Sequence, residues 1–316
     1  MEKEWKVLNV SAAEGEKVKS YLELPFIEEK LPVFLVNGLQ EGPTVLVMGG
    51  IHGCEYTSID AAQKIGAALD PEEIKGRVIV LPIANPASFY ARSIYVHPKD
   101  HKNLNRVFPG KQHGTDAERL AFWLNEAVLK KVDYVIDLHG GDMIEALVPF
   151  TIYHVAENRE VREASKDMAS LFEIGYVIGS SGQVPGSTYG CAAEQGIPAI
   201  IAEAGQQGIM SEQASQMLQR GVRNVLASLG IVNDKVWKAE LAYISIFDWY
   251  RSEIRGLWYP HIRVGDEVAK GQLLGRLADE FGDTLKEIRS HTDGIVLFLV
   301  SSLAINDGDP LLAVGA

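Results

Sequence analysis

The sequence predicts an α/β protein: a mostly parallel mixed sheet covered by helices on both faces, followed by a small all-β, barrel-like unit. Three observations carry this. Short runs such as Val45-Leu46-Val47-Met48, Val78-Ile79-Val80-Leu81 and Ile197-Pro-Ala-Ile-Ile-Ala202 are apolar without alternation, as in strands buried on both faces. Between them lie segments apolar every third or fourth residue, the period of helices packed on a sheet. Beyond about residue 239 the texture changes to short strand-like pieces separated by Gly-Asp and Asp-Gly turns, which reads as a second domain. The expected division is 1–238 and 239–316.

In chain order, Leu31 to Gly38 reads as a strand and turn, and Thr44 to Met48 as a buried strand. Ser58 to Leu69 is helical on Ile59, Ala62, Ile65 and Leu69, and Asp70-Pro71 stops it. Arg77 to Ile83 is the next strand. Residues 87–113 form a long polar loop holding Arg92, His97, Asp100, His101, Asn105 and Arg106; loops of that length in a compact domain usually serve a site. Thr115 with Glu118 makes a capping-box pattern before the amphipathic Leu120, Leu124, Ala127 and Val128. Val132 to Leu138 is a strand running into His139-Gly-Gly141. Helices are expected over 158–172, 187–195 and 211–229, the last closed by Gly230, with a strand over 197–202. The remaining strand-like pieces begin at Tyr243, Arg255, Val264, Gly271, Asp293 and Asn306.

With 47% hydrophobic and 23% charged residues among 316, the chain has the composition of an ordinary globular protein. A net charge of −12 argues against nucleic acid or an anionic membrane as partner. No apolar stretch approaches the length of a bilayer span, and the polar start, Met1-Glu-Lys-Glu-Trp5, has no signal-peptide character. Two cysteines, Cys54 and Cys191, cannot make a disulfide framework and fit a reducing cytoplasm. Homo-oligomerisation is left open.

His52 and Glu55 lie three residues apart where the Val45–Met48 run gives way through glycines to a helical pattern. On an opening helical turn they could point to one side, as two ligands of one metal must. His139 and Glu203 follow the ends of two further apolar strands, and ligands gather outside the carboxyl ends of such strands. Two histidines and a carboxylate with an open position are the ligand set of hydrolytic zinc sites, so His52, Glu55 and His139 are the candidate ligands of one Zn²⁺ per chain. Glu203 is the candidate general base. Arg92 and Arg106 offer a cation for a developing oxyanion and a fork for an anionic substrate end, with Asn105 adding an amide donor. Plainer readings compete: an ion pair at a helix start for His52 and Glu55, an ion pair of Glu203 with Arg92 or Arg106, and Arg106 as a clamp on the loop. Asp137, two residues before His139, could orient that ligand or cap a neighbouring helix. His97, His101 and His113 raise the question of a second metal site, but loop histidines are more often solvated or hydrogen-bonded than ligands, so they are left out; His154, His261 and His291 have no partner pattern.

His52-Gly-Cys-Glu55, Asn85-Pro86, Arg92, Asn103-Leu-Asn-Arg-Val-Phe-Pro-Gly110, Asp137-Leu-His139 and Glu203, in this order, resemble the succinylglutamate desuccinylase/aspartoacylase family of the zinc carboxypeptidase superfamily. The resemblance implies a three-layer α/β/α fold, one Zn²⁺ on His52, Glu55 and His139, and hydrolysis of a small carboxylate-bearing N-acyl amino acid. It further implies Glu203 as general base, Arg92 polarising the scissile carbonyl, and Asn105 with Arg106 on the substrate carboxylate. Relatives often carry Asp where this chain has Asn103, as acceptor for the first zinc histidine. The family's substrate-contacting tyrosine has no assigned counterpart; Tyr189, Tyr243, Tyr250 and Tyr259 are the candidates. The C-terminal segment is similar to biotinyl/lipoyl carrier folds, but no lysine is in register and Lys286 is offset, so it is expected to be unmodified and to narrow access to the cleft. A metallocarboxypeptidase acting on short peptides and a non-catalytic binding protein on the same fold are the alternatives.

Overall fold

A computed structural model describes residues 4–25, 27–181 and 184–316; the first three residues of the polar N-terminus lie outside it. A nine-stranded mixed sheet organises the chain. In spatial order its strands are Ala242–Ile244, Tyr176–Ser180, Phe150–His154, Ala199–Glu203, Tyr134–His139, Gln40–Met48, Lys75–Leu81, Leu31–Asn37 and Glu16–Leu22. Five of the eight pairings are parallel and three antiparallel. Val45–Met48, Val78–Leu81 and Val135–His139 are buried at every position, so both faces of the sheet's centre are covered, as their unbroken apolar runs require.

Among the described residues six α-helices accompany the sheet: α1 (Tyr56–Ala68), α2 (Pro86–Ala91), α3 (Asp116–Ala127), α4 (Arg159–Ala169), α5 (Thr188–Glu194) and α6 (Glu212–Ser228). Helix α3 opens with the anticipated capping box of Thr115 and Glu118, and Ser187, Asn158 and Ser211 cap α5, α4 and α6. The expected long loop is partly folded: Asn85 caps α2 and the 3₁₀ turn Leu104–Arg106 follows Asn103. Helix α1 begins at Tyr56 with Glu55 at its N-cap, so His52 and Glu55 occupy the turn before the helix, not its first turn. Glycines permit that turn. Gly50 takes φ +68°, and a Cβ on Gly53 would lie 2.2 Å from the backbone nitrogen of Phe89, so α2 packs directly on the His52–Glu55 turn.

The C-terminal residues form two antiparallel sheets. One contains Phe247–Arg251, Pro310–Gly315, Gly294–Val300 and Glu267–Val268, and the other Thr284–Arg289, Leu273–Ala278, Gly256–Pro260 and Ala304–Ile305. Lys286 lies in the second, paired with Glu253. The chain crosses between the large sheet and this unit at two places. The piece expected to open the β unit at Tyr243 instead joins the large sheet as its edge strand, parallel to Tyr176–Ile178. Strand Glu145–Leu147, far earlier in sequence, pairs with Phe298–Val300.

Candidate metal centre and substrate cleft

The strand register assembles the site. Glu203 is directly opposite His139 across the parallel pair of Ala199–Glu203 with Tyr134–His139, and Met48, the last residue of its strand, is opposite Asp137, two residues before His139. The chain leaving Met48 therefore delivers His52 and Glu55 to the edge from which His139 and Glu203 also emerge.

Glu55 and His139 are buried and His52 nearly so. His52 Nδ1 is 2.6 Å from Glu55 Oε1, His139 Nδ1 is 2.9 Å from Glu55 Oε2, and the two rings meet edge to face with centroids 5.0 Å apart. The other ring nitrogens face outward: His52 Nε2 to Asn103 Oδ1 at 3.0 Å and His139 Nε2 to Asp137 Oδ2 at 3.0 Å. Asp137 Oδ2 also accepts from the Thr188 hydroxyl, so this acid orients His139. Asn103 takes the place of the acid expected beside the first histidine.

These residues fit a metal ion. One ligand atom from each of His52, Glu55 and His139 lies within 4.8 Å of the others, and no other such group occurs among the described residues. Glu55 Oε2 is buried and its one close partner, His139 Nδ1 at 2.9 Å, is not aligned for a directed hydrogen bond, a contact that a cation shared by the two groups would serve better. The outward nitrogens are fixed by acceptors, as in ligating histidines. Without the ion, protons take its place. Burial opposes charging of His139, but Asp137 and Glu55 leave its pKa well above the usual value. Burial likewise disfavours ionised Glu55, yet His139 and His52 bring it down to about 2.

A cavity of about 410 Å³ opens onto this centre, a size that suits a small ligand. It brings together His52, Glu55, His139, Asn105, Arg106 and Glu203. Burial, with Glu55, Glu145 and Asp137 near by, raises the Glu203 pKa well above the carboxylate range against the pull of His139. Arg106 Nη1 donates to the Asn105 carbonyl at 2.7 Å. Its guanidinium pKa is lowered by desolvation and by the charge of Arg251. The Asn105 side chain accepts from Thr188 N at 2.8 Å, with Nδ2 3.5 Å from His139 Nε2.

Arg92 is not in the cavity wall. It is exposed, at the C-cap of α2 with φ 54°, and its charge acts on Cys54 and Tyr56. The second guanidinium of the wall is Arg251, from the C-terminal unit. Of the four candidate tyrosines only Tyr189 lines the cavity. Tyr243 lies at the sheet edge beside Ser170, the Tyr250 hydroxyl accepts from His291 N, and Tyr259 lies under Arg276. The sequence reading missed Tyr95, Glu145 and the apolar wall of Leu147, Phe150, Phe247, Trp249 and Phe298. The positions of Glu145 and Leu147 depend on pairing with a strand some 150 residues away, which no local pattern reports.

Fold and site together define an α/β protein with a candidate metal centre at the carboxyl ends of its strands, and comparison places it in a family. Residues 41–229 match the model of the succinylglutamate desuccinylase/aspartoacylase catalytic domain, and the chain belongs to that family. It is similar to the N-alpha-acetyl-L-2,4-diaminobutyric acid deacetylase of Halomonas elongata, 30% identical over 93% of this chain and 90% of the relative. It is also similar to the succinylglutamate desuccinylase of Pseudomonas paraeruginosa, 24% identical over 81% and 80%. Among solved structures, the product-bound ectoine utilization protein EutE (DoeB) of Ruegeria pomeroyi superposes with a TM-score of 0.86 at 28% identity, covering 95% of each chain.

Proposed function

We propose that this protein is a zinc-dependent hydrolase that cleaves the amide bond of a small N-acyl amino acid. The observation that carries the proposal is the register that sets Glu203 beside His139 at a cluster able to hold a metal, in a cavity that Arg106 also lines. The named relatives act on N-acyl amino acids, one bearing an acetyl and one a succinyl group by name, which supports the same substrate class here.

His52, Glu55 and His139 would hold one Zn²⁺, and the ion would supply the Lewis acidity that polarises a carbonyl and makes water nucleophilic near neutral pH. Glu203 takes the proton of the attacking water and passes it to the leaving nitrogen. Its desolvated carboxyl suits it to hold a proton between those two events. Arg106, held by the Asn105 carbonyl, binds the carboxylate end of the substrate as a fork. Asp137 and Asn103 keep the histidine rings oriented.

The test is metal analysis of protein purified without added zinc, followed by activity on N-acetyl, N-succinyl and N-formyl amino acids beside short peptides. Near-stoichiometric zinc and hydrolysis of N-acyl amino acids are expected. Glu203→Gln should retain zinc and lose activity by ~10²-fold or more. Absence of zinc even after reconstitution, or unchanged turnover in Glu203→Gln, overturns the reading.

A further inference from the structure

One buried residue touches both the metal centre and the substrate loop without belonging to either. Thr188 is fully buried and is the first residue of α5. The helix start does not need its side chain, because Ser187 is the N-cap and its hydroxyl accepts from Gly190 N at 3.3 Å. Nor does the helix use its N–H, since the first helical residue has no acceptor one turn earlier. Thr188 thus keeps two donors, a hydroxyl and an N–H, and both are aimed at the site.

The hydroxyl donates to Asp137 Oδ2, the oxygen that also lies 3.0 Å from His139 Nε2. Asp137 is fully buried, and among the described residues its Oδ1 has no hydrogen-bond partner. Thr188 is therefore what fixes the face that this carboxylate offers to His139. The N–H donates to Asn105 Oδ1 at 2.8 Å, and Asn105 Nδ2 lies 3.5 Å from the same His139 nitrogen. The Asn105 carbonyl in turn accepts from Arg106 Nη1 at 2.7 Å. The turn before α5 is packed on this loop as well: the Gly186 carbonyl accepts from Phe108 N at 3.0 Å, and a Cβ on Gly186 would lie 2.2 Å from the Arg106 carbonyl oxygen.

We infer that Thr188 is a positioning residue that sets two parts of the site at once. Through Asp137 its hydroxyl orients the ligand His139, and through its backbone N–H it places Asn105 and, behind it, the Arg106 fork. This rests on the proposed zinc deacylase reading and deepens it. The two ties come from different atoms, so substitution separates them. Thr188→Val removes the hydroxyl at nearly constant volume and keeps the N–H, while Thr188→Ser keeps both. Thr188→Pro removes both and suits the helix, because proline is favoured at a first helical position and Ser187 already has the extended backbone, φ −78° and ψ 156°, that precedes proline.

The test measures zinc affinity by competition with a chelator, the visible spectrum of the cobalt(II)-substituted protein, and kcat and KM on N-acyl amino acids. Thr188→Val should weaken zinc binding by roughly tenfold, alter the cobalt spectrum and lower kcat with KM nearly unchanged. Thr188→Ser should restore all three, and Thr188→Pro should add a rise in KM that Thr188→Val lacks. Unchanged zinc affinity and cobalt spectrum in Thr188→Val, or equal losses in Thr188→Val and Thr188→Ser, overturn the tie to His139. A KM in folded Thr188→Pro equal to that of Thr188→Val overturns the tie to Asn105. If the unaltered protein binds no zinc or hydrolyses no N-acyl amino acid, the deacylase reading fails separately. The inference is then decided by magnetic resonance of the metal-free protein. The ring N–H proton of His139 should move in Thr188→Val and not in Thr188→Ser, and the Asn105 side-chain amide should move further in Thr188→Pro. Signals that stay in place overturn it.

Discussion

Asn103 is where a single side chain sets the character of the centre. Its Oδ1 faces His52 Nε2 at 3.0 Å and also accepts from Asn105 N at 2.8 Å, starting the turn that carries Arg106. A neutral amide accepts from imidazole without adding charge, so His52 is a weaker donor to a metal than beside a carboxylate. Asn103→Asp preserves both acceptor contacts and should tighten zinc binding by roughly tenfold, whereas Asn103→Ala should weaken it by about 10–100-fold, read by competition with a chelator. Equal affinities across the three proteins would remove this hydrogen bond from the account. At this scale the sequence was informative where spacing and strand ends sufficed: His52, Glu55, His139 and Glu203 all reach one cavity. It was uninformative for Arg92, because that residue's place at the left-handed C-cap of the six-residue helix α2 is not written in local spacing. It also missed Tyr95, three residues further on, which lines the cleft with φ 37°.

Among the elements, helix α3 shows how a local pattern acquires a long-range role. The capping box was legible from Thr115 and Glu118 alone, because its partners are three residues apart. Its second task was not: Glu118 Oε1 also takes Lys102 and Lys111 at 3.0 Å each, tying the segment after α2 to the helix start. The Thr115 backbone N–H, then Lys111 and Lys102, hold the Glu118 pKa at about 2. A carboxyl depressed in the folded state stabilises it above the unfolded value, near 4.5, and that contribution disappears as pH falls towards 2. Glu118→Gln should accordingly lower Tm by roughly a few degrees at pH 7, with the difference from the unaltered protein closing as pH is lowered through about 4.5. A constant gap down to pH 3 would show that the charge is not what Glu118 contributes. Strands Phe150–His154 and Tyr176–Ser180 were not anticipated. The first runs antiparallel to Ala199–Glu203, and its Phe-Thr-Ile-Tyr-His sequence is too short and mixed to stand out from the turns around it.

At the scale of the molecule, the chain from Phe247 onward forms antiparallel sheets of its own, yet these and the large sheet are laced in both directions. Ala242–Ile244 closes one edge of the large sheet, while Glu145–Leu147 gives its backbone hydrogen bonds to the C-terminal sheet. Phe150 of the large sheet meets Phe247 with ring centroids 5.9 Å apart, and Phe247, Trp249 and Phe298 continue the contact; the apolar wall of the cleft is built from this seam. We therefore expect the C-terminal unit to be required for folding as well as for shaping access. A chain ending at residue 239 would bare the Tyr176–Ser180 edge and uncover Leu147 and Phe150, now 7% and 4% exposed, creating an unpaired strand beside an apolar patch. Expressed alone, it should be insoluble or lack a cooperative thermal transition, and should show no N-acyl amino acid hydrolysis after zinc addition. A soluble, cooperatively melting fragment that binds zinc would instead mean that the large sheet is self-sufficient and that the seam serves only the cleft.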